Sequence, residues 1–174
     1  MNRLLLTVVV LAFSCGDVYS RQSRGVKYWA TVGAGLTFAE RLFANGLGVA
    51  FSYKPGGIHF SARFVAADRV PGYLFDGKPP LDYLQDLSVL VGVSQEDENT
   101  IFVFSAGPGL VNGKFNEAQN NRRFSVTGLS LEAQAILKLG KSVGVGAYLF
   151  SNINKEASYV GILLSIQVGH FRNW

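Results

Sequence analysis

YWATVGAGLTF, residues 28–38, decides the fold. Its even positions are Tyr28, Ala30, Val32, Ala34, Leu36 and Phe38, while Trp29, Thr31, Gly33, Gly35 and Thr37 take the odd ones. Such alternation marks a strand whose two faces meet different surroundings. The division recurs down the chain. Leu47, Val49, Phe51 and Tyr53 alternate with Gly48, Ala50 and Ser52; Ile58, Phe60, Ala62 and Phe64 with His59, Ser61 and Arg63; Leu87, Val89, Val91 and Val93 with Ser88, Leu90, Gly92 and Ser94. Val143 to Leu149 and Val160 to Val168 repeat it, with Gly144, Gly146, Tyr148, Gly161, Leu163, Ser165, Gln167 and Gly169 on the opposite face. These are six clear strands. Segment 100–107 is apolar on both faces, and in 123–137 the apolar phase shifts from Phe124 and Val126 to Leu129, Leu131 and Ala133, which a bulge at Gly128 would explain. Both are counted as strands, which predicts eight.

The composition narrows the alternatives. Of 174 residues 48% are hydrophobic and only 16% charged, which excludes a disordered chain. Residues 1–20 read as a signal peptide: a basic start at Arg3, the apolar run LLLTVVVLAFS, and Val18 and Ser20 at a small-residue cleavage site, with Arg21 the expected mature start. Cys15, the single cysteine, offers a rival lipidation site, but Ala12, Phe13 and Ser14 form a poor lipobox. Cleavage at Ser20 leaves a 21–174 domain without thiol chemistry. No stretch of it is apolar for long enough to be a membrane helix.

The expected connections are 39–46, 54–57, 66–82, 95–99, 108–122, 138–141 and 151–157, alternately long and short. An up-and-down barrel with tight turns at one end and longer external loops at the other has this pattern. A soluble sandwich or lipocalin-like barrel is the competing fold. The second face decides between them. In a water-facing sheet it would carry Lys, Glu and Thr, yet Arg63 is its ionised group, with Asp86 at one strand start, and the strand glycines all lie there. Glycine weakens an exposed strand but suits a narrow lumen. The reading is therefore an all-β, eight-stranded antiparallel up-and-down transmembrane β-barrel whose Val, Leu and Phe meet lipid. Tyr28, Phe38, Tyr53, Phe64, Tyr83, Tyr159, Phe171 and Trp174 lie near strand ends, where aromatic rings favour the bilayer interface.

The leader, the eight alternating strands and the closing IQVGHFRNW together resemble the small outer-membrane β-barrel proteins of Gram-negative bacteria. The Gly-rich WATVGAGLTF and SVGVGAYLF look most like the Bacteroidota-type group. The resemblance covers about residues 27–174. It implies an outer-membrane address and folding by the outer-membrane assembly machinery, which in that family reads an aromatic-ended last strand.

Catalytic motifs are weak. Some barrels of this type deacylate lipid A with a strand His and Ser two residues apart, and His59-Phe60-Ser61 has that spacing. However, Ala62 stands where that family has Asn, and His59 and Ser61 have lumen parity. Glu132 is a candidate acid that nothing in the sequence places nearby. GKSVGVGA at 140–147 alternates within a strand instead of opening a helix, so it is no dinucleotide fingerprint. GPGLVNGKF at 107–115 has Pro108 and Phe115 where a phosphate loop needs Gly and Ser or Thr. With His59 and His170 far apart, no metal or cofactor is expected. The net charge of +4 is scattered, so no nucleic-acid partner is expected.

Three features carry binding expectations. Arg63 and Asp86 flank the 66–82 loop and are expected as a lumen ion pair, acting as a gate in a narrow pore or only stabilising the barrel. Tyr73, Leu74 and Phe75 form an apolar cluster in that loop, a candidate external contact. Arg122 and Arg123 are candidate contacts to lipopolysaccharide phosphates. The functional expectation is a non-enzymatic structural or surface-binding component with outer-membrane lipid and lipopolysaccharide as partners. The alternatives are a narrow channel for small or apolar solutes and a lipid A-modifying esterase.

Overall fold

The computed structural model describes residues 26–39, 42–70, 81–116 and 121–171. It contains β1 (Val26–Ala39), β2 (Leu42–Pro55), β3 (Ile58–Arg69), β4 (Leu81–Glu96), β5 (Thr100–Asn116), β6 (Asn121–Lys138), β7 (Val143–Ile153) and β8 (Tyr159–His170). Every strand pairs antiparallel with its sequence neighbours, and β1 pairs with β8, so the sheet closes into a barrel. Closure leaves no edge with unpaired backbone groups. The ladder of partners starting at Tyr28 runs through Tyr53, Phe60, Val91, Ala106, Leu131, Ser151 and Val160. It returns to β1 at Phe38, ten residues beyond its start. That stagger tilts the strands by about 35–45° and gives a bore that side chains can fill.

The alternation read from the sequence divides outside from inside. Val32, Leu47, Phe51, Val89, Phe104, Leu149, Leu164 and Ile166 all point outward and are exposed, Leu164 to 76%. On β8 the outward series runs from Val160 to Val168. Nine residues of tilted strand rise roughly 23 Å, comparable to the apolar band of about 25 Å on membrane barrels. The opposite face is buried and holds the strand glycines.

Two expectations about strand limits are corrected. The sequence predicts connections over 39–46 and 108–122, but β2 begins at Leu42 and the β5–β6 hairpin is paired from Thr100↔Leu137 to Asn116↔Asn121. The cause is an inversion of the faces. Beyond Leu110 and Leu129 the outward positions become Asn112, Lys114, Arg123, Ser125 and Thr127, while Val111, Phe115, Phe124 and Val126 turn inward. The strands continue above the apolar belt with polar residues outside, so the apolar phase changes without a change of backbone. For the same reason there is no bulge at Gly128: the β5–β6 register is constant through Gly109↔Gly128. A register shift does occur on β4, between Leu81 and Tyr83. Pro108 lies within β5. The β4–β5 pairing lapses opposite it and resumes in the same register, as a residue without an N–H requires.

Tyr159 and Phe171 are a further correction. Their positions near strand ends predict the bilayer interface, yet both are buried inside the barrel. Phe171 closes one end against Trp29, whose ring centroid is 5.9 Å away. Tyr28, Phe38, Tyr53 and Phe64 are exposed on the outside, as expected. The signal peptide, Cys15, the Tyr73-Leu74-Phe75 cluster and Trp174 lie outside the described residues.

The glycines serve close approach as well as space. A Cβ on Gly92 would sit 1.9 Å from the Phe104 carbonyl oxygen, and one on Gly146 2.0 Å from that of Ala135. Neighbouring strands press together there as the small barrel curves. Gly161 instead makes room, since its Cβ would meet the Phe150 ring at 2.2 Å.

Candidate functional site

The bore is filled in layers. At the end carrying the 56–57, 97–99 and 139–142 turns, Glu96 reaches across the lumen to three lysines. Its carboxylate accepts from Lys27 Nζ at 2.6 Å, Lys138 Nζ at 2.9 Å and Lys54 Nζ at 3.3 Å. Above this collar Trp29, Ile101, Val103, Ile136 and Phe171 form an apolar layer. A polar middle follows, and beyond it a second apolar cluster of Val65, Leu81, Leu84, Val111, Phe115, Phe150 and Leu163 closes the opposite end.

The polar middle contains the expected Arg63–Asp86 pair. Arg63 lies directly opposite Ser88 in the β3–β4 ladder, and Asp86 is the next inward position on β4. Arg63 Nη2 meets Asp86 Oδ2 at 2.6 Å with both side chains fully buried. The guanidinium also donates to Ser88 Oγ at 3.2 Å and to the Leu131 carbonyl at 3.1 Å, and it lies 5.6 Å from the Phe150 ring centroid. Asp86 accepts from Ser88 at 2.5 Å and from the Tyr159 hydroxyl. Ser130 links Ser88 at 2.7 Å to Asn152 at 2.8 Å. The network therefore joins β3, β4, β6, β7 and β8 across the bore. Burying an ion pair requires such additional partners, because its attraction alone does not offset desolvation.

A second buried carboxylate, Glu132, is held by the Tyr148 hydroxyl, by Gln134 Nε2 at 2.8 Å and by Ser61 Oγ at 3.5 Å. Glu132 thus does reach Ser61. His59, however, turns to Ser105 Oγ at 2.9 Å and stacks on Trp29 at 5.4 Å. No hydrogen bond joins His59 to Ser61 among the described residues, and all three groups are buried in the lumen. A nucleophile must contact its base and be reached by substrate; Ser61 does not contact His59, and both lie buried in the lumen away from lipid. Ser61→Ala should therefore change stability by less than about 1 kcal/mol and alter no acyl release from lipid A. Thermal gel-shift and lipid analysis of the purified variant would check both.

Arg122 and Arg123 are split to opposite sides of β6, as consecutive strand residues must be. Arg122 leans over the mouth, 5.2 Å from the Phe115 ring centroid, and pairs with Glu156 at 2.5 Å. It borders a mouth pocket of about 390 Å³ floored by Ala39, Leu81 and Phe115. Arg123 faces outward opposite Lys114, which is paired with Asp82 at 3.4 Å.

Sequence reasoning missed the lysine collar because Lys54, Glu96 and Lys138 fell in or beside the expected turns. It missed Tyr159 by assigning the ring to the interface. Tyr148 had lumen parity already, which was the available signal.

No protein-family model matches the chain, and no curated protein matches it significantly. Solved structures do. Neisserial surface protein A (NspA) superposes with a TM-score of 0.61 at 11% identity, covering 86% of this chain and 99% of that one. The N-terminal β-barrel domain of Pseudomonas aeruginosa OprF gives the same values. Ail, the attachment invasion locus protein of Yersinia pestis, gives 0.58 at 13% identity over 83% of this chain and 97% of its own. The fold is that of the small outer-membrane β-barrels. Another Ail structure, with a TM-score of 0.57, is a complex with the heparin analogue sucrose octasulfate.

Proposed function

We propose that the chain is exported by its 1–20 leader, cleaved before Arg21, and inserted into the outer membrane as a non-enzymatic structural or surface-binding component. The observation that carries this reading is the pairing of a continuous exposed apolar belt with a bore closed by side chains. Water would be a poor solvent for that belt, and hydrocarbon is a good one. The outer-membrane assembly machinery is the corresponding folding partner. Affiliation with Bacteroidota-type genomes rests on the Gly-rich strands alone.

The filled bore favours a solid scaffold over a channel. Two apolar layers flank the Arg63–Asp86 pair, which further hydrogen bonds tie to Ser88, Tyr159 and the Leu131 carbonyl, so the pair supports the wall instead of gating a pore. Purified protein reconstituted in planar bilayers should show no unitary conductance. Steady channels through the folded barrel would instead establish the channel reading.

A surface-binding role is favoured by the external end. Arg122 borders the mouth pocket with Lys155, and Arg123 and Lys114 face outward above the apolar belt, where lipopolysaccharide phosphates lie. The sucrose octasulfate complex of Ail is consistent with polyanion binding by such a barrel.

A further inference from the structure

We propose that the end of the bore opposite the mouth pocket binds one small oxyanion of the phosphate type, held by Lys27, Lys54 and Lys138. This rests on the barrel reading above. Three ammonium groups there surround a single carboxylate, and their side chains are only 3–4% exposed, against 14% for Glu96. Buried positive charge in excess of its counter-charge is unfavourable, and it is relieved by loss of a lysine proton or by an accompanying anion.

The donors are also under-used. Each ammonium carries three N–H groups. Lys27 spends its contacts on the two Glu96 oxygens, at 2.6 and 2.7 Å. Lys138 uses one Glu96 oxygen and the Asp97 carbonyl at 2.6 Å. Lys54 has a single acceptor among the described residues. One inward position deeper on the same strands as Lys27 and Lys54 lie Trp29 and Ser52, paired across the β1–β2 ladder. Trp29 Nε1 and Ser52 Oγ are fully buried, and neither has a hydrogen-bond partner among the described residues. Spare charged donors and two orphaned neutral ones thus occupy consecutive inward positions on β1 and β2.

A tetrahedral oxyanion matches this set, since it presents several acceptors and carries the missing charge. The collar faces the lumen, while the wall outside it carries Tyr28, Tyr53 and Val93. A lipid headgroup fixed to chains outside the wall does not reach it. The proposed ligand is a free oxyanion entering beside Glu96, the most exposed member of the collar.

The test uses the full chain folded in detergent without phosphate. Inorganic phosphate, titrated at constant ionic strength and followed by phosphorus NMR, should bind with a Kd on the order of 1 mM. The gel-shift transition should rise by several degrees in 10 mM phosphate. Lys54→Met and Lys27→Met should weaken binding at least tenfold, and Glu96→Gln should tighten it about tenfold. Anionic phospholipid vesicles lacking free phosphate should give no such rise.

No phosphate binding by the folded wild type overturns the proposal. Equal stabilisation of the lysine variants also overturns it, since that is generic salt exclusion, and a rise with vesicles alone would assign the collar to lipid. The gel shift itself reports the barrel separately: a wild type with no heat-modifiable band overturns the barrel reading and this proposal together. If a lysine variant fails to fold, the wild-type titration still decides.

Discussion

Arg63→Ala is expected to lower the stability of the folded barrel by about 3–5 kcal/mol, the usual consequence of leaving a buried charge without its partner. The substitution removes the contact to Asp86 and the donors to Ser88 and to the Leu131 carbonyl in one step. Asp86 would keep only neutral hydroxyl donors, among them Ser88 and Tyr159. Arg63→Lys retains the charge but not the planar fork that serves three acceptors, so an intermediate loss is expected. Urea unfolding in detergent, read by gel mobility and tyrosine fluorescence, measures both. The apolar layers lie above and below the network, so neither variant should open a conducting path. A clear rise in conductance with Arg63→Ala would make the pair a gate.

Gly92→Val should prevent stable closure of the barrel. Its Cβ would lie 1.9 Å from the Phe104 carbonyl oxygen and 2.6 Å from Ser105 Cα, and both obstacles are backbone. Relief requires β4 and β5 to separate, breaking a ladder that the hydrocarbon cannot replace with its own hydrogen bonds. The expected result is accumulation of unfolded or degraded protein with no heat-modifiable band. Gly140 has nothing within 4 Å of its hypothetical Cβ and no positive φ, so Gly140→Ala should fold normally. A folded Gly92→Val barrel at wild-type yield would mean that the close approach is not required.

The belt was legible in the sequence because lipid imposes one rule on every strand. From Tyr28 to Phe38 and from Val160 to Val168 the outward residues are apolar without exception, and the glycines fall opposite. The strand extensions were not legible for a physical reason. Above the belt the outside is water and the inside is core, so Phe124 and Val126 obey the opposite rule from Leu129 and Leu131, and a constant backbone looks like a break in phase. The lumen network was half legible. Parity placed Arg63 and Asp86 on the inner face, but the partners Tyr159, Ser130 and Asn152 come from strands far away in sequence, and register alone brings them together. The lysine collar shows the same limit: Lys27, Lys54, Glu96 and Lys138 stand at the ends of different strands, and only closure of the barrel makes them neighbours.

The central claim is that the exposed apolar face of each strand meets hydrocarbon. Single cysteines at successive positions 160–168 of β8, spin-labelled in the protein reconstituted in bilayers, test it most directly. Labels at the even positions should collide with dissolved oxygen and not with a water-soluble nickel chelate, most strongly near Leu164, while odd positions should show neither contact. Chelate contact along the even positions, in a protein that stays monomeric in water without detergent, would contradict the account.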